Sequence, residues 1–370
     1  MQVCDSVNDQ QKLHKSKMYH RRFDFKSNDL DAFRQSADPI ADQVIELIIR
    51  NNSRKDLNAF FLLKSFDEIH SSAIREKVLI DFLYEGNELP NWVDDDKVRK
   101  ATELFRNNGN EFLFMLGIVS LPYCYAAAKG ALSLYHTEKI RKNTEARLLD
   151  TTSFIVDIMQ KEAFSLGGLG FLAVKQVRLR HALARYYLKN VPQIKALDEV
   201  PINQEDMAGT NLAFSYVALR EMPKIGVQIS QKTKDAYIHF WSLVGYLLGI
   251  KEILLPKNIR EAFWLEKRIA HRQFRASKEG KELTGQLINH YKAHIPNSAT
   301  IALIKPLIRY LLGEEVSEII GMRSKGGVYP QDALMKLLPI FKRVIFPPVQ
   351  SFEAIVAQID QRKKPINFKT

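Results

Sequence analysis

Apolar residues recur at three- and four-residue intervals through most of this chain, and that spacing limits the fold it can adopt. The segments DPIADQVIELIIR, SSAIREKVLIDFLYE, DKVRKATELFRNN, TEARLLDTTSFIVDIMQKEA, GFLAVKQVRLRHALARYYLKN, EDMAGTNLAFSYVALREM and KTKDAYIHFWSLVGYLLGI all carry it. Such a stripe buries one side of an α-helix, whereas a half-buried strand needs strict alternation. Alternating runs are scarce. The nearest, RVIFPPV at 343–349, is demoted by its two prolines. Glycine and proline fall between the helical segments, at Gly86 to Pro90, Gly167, Gly168, Pro192, Pro201, Pro256 and Pro296. No fixed-period repeat is present, which argues against a solenoid. The pattern predicts an all-α protein: one large helical domain over residues 40–345, preceded by a polar N-terminal arm (1–40) and followed by a basic tail (346–370).

A chain of 370 residues, 46% of them hydrophobic, can bury a core of that size. One stretch tests the reading. FLFMLGIVSLPYCYAAA, residues 112–128, carries no charge, and its length is at the short end for a bilayer span. Pro122 interrupts it, and Glu111 and Lys129 bound it closely, so the expectation is a buried helix pair broken near Pro122 and no integral membrane span. The 54 Lys and Arg against 42 Asp and Glu leave a net charge of +12. They are dispersed over KLHKSKMYHRR, KIRK, KQVRLRHALAR and QRKKPINFK. That excess predicts weak attraction to anions, and with no recognition module beside it no nucleic-acid partner is expected. Cys4 sits in a polar run and Cys124 in an apolar one, so neither a disulfide framework nor a zinc site is indicated. MQVCDSVNDQQKLHKSK has no apolar h-region, and a cytoplasmic protein is expected.

The chemistry concentrates in two helices joined by KEAFSLGGLG. On the first, Arg147 and Thr151 are one turn apart, and Phe154 and Ile158 continue the same face. On the second, His181 stands among Val174, Val177, Ala184 and Leu188, with Arg178 and Arg185 at the flanking turns. Two adjacent glycines suit a tight reversal that makes the helices antiparallel neighbours, so that His181, Arg147 and Thr151 line one apolar cavity.

A zinc or non-haem iron site wants three or four protein ligands, and no second ligand sits at helical spacing on the face of His181. The one H-x-x-x-H pair, His290 and His294, lies in a polar helix; no H-E-x-x-H, G-x-S-x-G or Gly-rich phosphate loop occurs. Two readings of His181 stand on the residues alone. It is a hydrogen-bonded core histidine, or it is the single axial ligand that haem, which brings four equatorial nitrogens, requires. In the second case Arg178 and Arg185 could pair with the propionates.

The run from LFRNNGNEFLFM to TTSFIVDIM, then QVRLRHALAR, then PINQEDMAGTNLAFSYVALREMPKIGVQIS and AYIHFWSLVGYLLGI, resembles the oxygenase family that includes MpaB and the rubber oxygenases (latex clearing proteins). The resemblance covers about residues 90–255. Its most specific parts are R-L-L-D-T at 147–151 and R-L-R-H-A at 178–182. It implies an all-α fold around one non-covalent haem b per chain, with His181 as the iron ligand and Arg147 and Thr151 on the haem-pocket helix. It also implies an apolar, unsaturated isoprenoid or lipid-like substrate oxidised with O₂. Rubber oxygenases carry a lysine just before that threonine, where this chain has Asp150, which makes Asp150 a candidate distal group. Asn203 to Asp206 and Trp241 also match the family's run, and helix capping and packing are the roles expected of them. The alternatives are a haem peroxidase-like enzyme using Asp150 in acid–base chemistry, and a non-catalytic haem- or lipid-binding protein.

Overall fold

Most of the longer helices begin at a side chain that satisfies an otherwise orphaned backbone N–H. Asp38 accepts from Ala41 N ahead of Pro39, and Asp94, Asn203, Ser230, Asn258 and Ser277 do the same at their helices. The computed structural model describes residues 27–141, 144–295, 301–322 and 357. The expected tail 346–370 (position 357 apart), RVIFPPV, Cys4 and the end of the domain at 345 lie outside the described residues.

The elements that position the site are α1 (Pro39–Arg50), α2 (Arg54–Leu62), α3 (Lys77–Tyr84), α4 (Asp95–Asn107) and α5 (Gly109–Met115). They continue with α6 (Leu121–Tyr125), α7 (Ala128–Arg141), α8 (Thr144–Ile158), α9 (Leu169–Leu188) and α10 (Gln204–Leu212). After these come α11 (Gln231–Leu247), α12 (Ile259–Gln273), α13 (Lys278–His294) and α14 (Ile304–Leu312). Among the described residues there is no β-strand, only an isolated bridge between Ala127 and Phe274. The all-α expectation holds. One continuous apolar cluster runs from Leu30 to Met322, so these helices share a single core. The body begins earlier than residue 40: Leu30, Arg34 and Asp38 are buried in it.

Two helices sit deepest. α11 is buried without interruption from Ala236 to Gly245, and α9 buries residues on several faces. A helix apolar all round must be covered all round. α9 packs against α1, α8, α3 and α11, and α4 lies along α11.

The uncharged stretch forms α5, a π-helical turn (Leu116–Ser120) and α6, with Phe112 to Tyr125 buried apart from half-exposed Cys124. Among the described residues no helix is long and apolar enough to cross a membrane. The break falls just ahead of Pro122, where the Leu121 N–H reaches back five residues to the Leu116 carbonyl. Proline offers no N–H and crowds the carbonyl four residues earlier, so a wider turn accommodates it. A second π-turn (Ala213–Val217) follows α10 and packs on the first, and Ser120 Oγ donates to the Ala213 carbonyl at 2.8 Å.

His239 on α11 couples this frame to pH. Its Nε2 accepts the Asp94 N–H at the start of α4 at 2.9 Å, which requires an unprotonated Nε2. Burial, helped by Lys97, lowers its pKa below 6.5, against the pull of Asp94. The unfolded chain then binds more protons than the folded one, so this contribution is complete above about pH 6.5 and is lost as pH falls through the lower folded value. Urea unfolding at pH 7 and pH 5 should show a smaller loss of stability in His239→Gln than in the parent. Equal losses would remove His239 from the acid response.

Candidate functional site

The reversal between α8 and α9 depends on its two glycines in different ways. Gly167 adopts φ +74°, a conformation costly for residues with a Cβ. At Gly168 a Cβ would stand 2.4 Å from the Ala163 carbonyl oxygen, so the chain can pass there only without a side chain. The loop returns α9 against α8, and Asp150 Oδ2 on α8 lies 4.0 Å from Arg180 Nη1 on α9. Asp150 and Arg180 are next in sequence to Thr151 and His181, so the ion pair brings the two site segments level.

His181 keeps part of its surface open, yet its Nδ1 is sealed from solvent without a hydrogen-bond partner. Burial, with Arg185 and Arg180 adding to it and Asp38 opposing, lowers its pKa to about 4. The ring is neutral at physiological pH and carries a lone pair. A buried polar atom without a partner is uncommon and calls for an explanation, of which a missing ligand or ion is one. Among the described residues no group of three or more His, Cys, Asp or Glu side chains is placed to hold a metal ion. A metal at His181 would therefore have to bring most of its other ligands with it. That donor set fits haem.

Opposite, Thr151 Oγ1 donates to the Arg147 carbonyl at 2.9 Å. The hydroxyl proton is committed to its own helix, so the oxygen can only accept from a ligand. The Arg147 guanidinium stands 5.5 Å from the centre of the Tyr125 ring, a cation–π contact that ties α8 to α6. The expected apolar lining divides. Phe154, Val177 and Ala184 remain partly open, whereas Ile158 and Val174 are packed wholly into the core.

Arg178 and Arg185 do not stand ready for propionates. Arg178 makes a two-pronged pair with Asp38, at 2.7 and 2.9 Å. Burial of that carboxylate opposes its ionisation, but the Arg178 hydrogen bonds and charge prevail and hold its pKa below 3.8. Arg185 is 0% exposed and pairs with Asp42 Oδ1 at 2.7 Å. A guanidinium removed from water needs a matched carboxylate, and α1 supplies one for each. Lys175 also points inward, without a carboxylate: its Nζ donates to the Glu85 backbone carbonyl and lies 4.8 Å from the centre of the Phe82 ring, and burial lowers its pKa to about 8. These cations of the KQVRLRHALAR run point inward and contribute little to an anion-attracting surface.

Asn203 caps α10, and Gln204 bonds the carbonyls of Ala37 and Gly249 and accepts from Lys251 N. Glu205, 0% exposed, accepts from Arg34, Arg272 and Gln273. Trp241 stacks on Phe214, centroids 6.0 Å apart. Capping and packing describe these residues, with a buried ion cluster added that sequence reasoning did not anticipate. A second such cluster joins Tyr123, Glu266, Arg220 and Glu221. Its members are scattered over three separate segments, and no local spacing announces them.

The described residues form a helical body in which the segment of α9 carrying a half-open imidazole, His181, packs level with the segment of α8 carrying Thr151 and Arg147. The chain belongs to the family described as "ER-bound oxygenase mpaB/B'/Rubber oxygenase, catalytic domain", whose pattern matches residues 112–340. It is 24% identical over 247 residues to a rubber oxygenase from Streptomyces sp. (strain K30), covering 66% of this chain and 60% of that protein. Its fold is similar to that of latex clearing protein in the closed state, with a TM-score of 0.68 and 19% identity, over 88% of this chain and 90% of the other.

Proposed function

We propose that this chain is an oxygenase that holds one haem b through His181 and oxidises an apolar, unsaturated isoprenoid or lipid-like substrate with O₂. The observation that carries the reading is the sealed, unpartnered Nδ1 of a neutral His181, set level with Thr151 in the family's two signature segments. Haem bound there supplies the binding and activation of O₂. The chain's own residues do the rest. His181 would hold the iron through its imidazole, and Arg147, on the same face of α8 as Thr151, would pair with an acidic edge of the group. Thr151 accepts a hydrogen bond within the pocket. Phe154, Val177 and Ala184 exclude water and give the substrate almost nothing to hydrogen-bond. Selection therefore rests on shape and burial, which separate chain lengths weakly, and several related substrates should be accepted. Asp150 is assigned to the pair with Arg180 that aligns the helices, not to proton transfer. Arg178 and Arg185 are assigned to anchoring α9 on α1.

In cleavage of a carbon–carbon double bond, both oxygen atoms of O₂ enter the products, one in each new carbonyl. Reduced, haem-loaded protein incubated with an unsaturated terpenoid panel under ¹⁸O₂ should yield labelled carbonyl products. Arg147→Ala and Thr151→Ala should lower turnover at least about tenfold, a loss of about 1.4 kcal/mol or more in transition-state stabilisation, while exposed Lys161→Ala should not. Oxidation driven by peroxide without O₂ consumption would overturn the reading.

A further inference from the structure

The last two turns of α13 carry the His290 and His294 pair, which the candidate haem site does not use. Their ring centroids lie 4.4 Å apart, with the planes at 45°. His294 Nδ1 is 2.8 Å from the His290 carbonyl oxygen. Because a carbonyl only accepts, Nδ1 carries the proton and Nε2 keeps a lone pair, the arrangement typical of a metal-binding imidazole fixed by its second nitrogen. His294 is exposed and His290 half-buried.

The spacing can be set against what a single ion requires. With metal–nitrogen bonds of about 2.0–2.1 Å, two imidazoles on one ion have centroids roughly 4.5 Å apart at a right-angled N–metal–N arrangement and roughly 5.2 Å apart at a tetrahedral one. The observed 4.4 Å is nearer the first of these separations. The pair also closes the C-terminal end of a 17-residue helix, where the backbone dipole favours a cation. Glu145, exposed on the first turn of α8, adds negative charge within electrostatic reach, and α13 packs directly on α8.

We propose that His290 and His294 form a two-imidazole site for a late first-row divalent cation, Cu²⁺ or Ni²⁺ in preference to Zn²⁺. Water completes the coordination, since no group of three or more ligating side chains occurs among the described residues. The site is separate from His181 and does not depend on the oxygenase reading.

Titration calorimetry of untagged, full-length, haem-loaded protein with NiCl₂ should give one equivalent bound, and CuCl₂ and NiCl₂ should both bind more tightly than ZnCl₂. His290→Asn and His294→Asn should each weaken Ni²⁺ binding at least tenfold, while the exposed His271→Asn should leave it unchanged. The Soret absorbance of every variant should match the parent, which separates loss of this site from loss of haem. Unaltered Ni²⁺ affinity in both His290→Asn and His294→Asn would overturn the proposal, and tighter binding of Zn²⁺ than of Ni²⁺ would overturn the right-angled geometry.

Discussion

Protein carrying His181→Ala should retain less than a tenth of the haem of the parent, which should hold about one haem b per chain. The replacement removes the imidazole carried beside the Asp150–Arg180 pair, and among the described residues no cluster of alternative ligands can take its place. Non-covalent haem has no second attachment, since no C-x-x-C-H motif occurs. Pyridine haemochrome content and the Soret spectrum measure the loss. His239→Gln and His271→Asn serve as controls and should keep full haem content. The pH dependence adds a second, independent test. Burial lowers His181 to about 4, so protons compete for its lone pair only near that pH. Haem affinity should stay level from pH 8 to about 5 and weaken as pH approaches 4, whereas with an ordinary imidazole it would begin to weaken near 6.5. Normal haem content in His181→Ala would end the assignment.

Glu205→Ala should destabilise the fold by about 3–5 kcal/mol, the range for breaking a buried ion pair from one side. Glu205 is wholly buried on α10 and receives Arg34 Nη1 at 3.3 Å, Arg272 Nε at 2.8 Å and Gln273 Nε2 at 3.0 Å. Without it Arg34 still has Glu199 and Asp206, at 2.7 and 3.1 Å, whereas Arg272 loses its buried carboxylate and keeps its pair with exposed Asp31. The cost falls mainly on Arg272 and Gln273. Glu205→Gln keeps the hydrogen-bonding shape without the charge and should lose less than Glu205→Ala. Urea unfolding followed by circular dichroism gives both values. A loss below about 1 kcal/mol for Glu205→Ala would mean that water reaches the cluster and replaces the carboxylate.

The helical class, the buried fate of residues 112–128 and the pairing of the two signature helices were legible in the residues, because each follows from a local rule. Periodicity sets the apolar face, proline breaks the ladder near position 122, and two glycines permit a reversal. His181 as the candidate ligand was legible for a similar reason: it stands on an apolar helical face within R-L-R-H-A, one of the two most specific motifs. The partners of the charged residues were not. Arg178 and Arg185 flank His181 on α9, and their spacing fits propionates as well as it fits carboxylates 140 and 143 residues away. Which anion such a cation meets depends on which helix packs beside it. That α1 does so is a result of the whole core.

The two π-turns belong to the same category. Proline announced a break, but only the contact between Leu116–Ser120 and Ala213–Val217 shows that two such turns pack together. The depressed pKa values of His181 and Lys175 are likewise set by what covers them, since desolvation is a property of the surroundings and not of the side chain. The sequence by itself determined the helices, their faces and the candidate ligand, His181. The tertiary structure decided which cations were neutralised by the protein and which ring nitrogen was left without a partner. Helix formation is governed by neighbours three and four positions away, whereas burial and charge pairing are governed by whatever the rest of the chain folds against them.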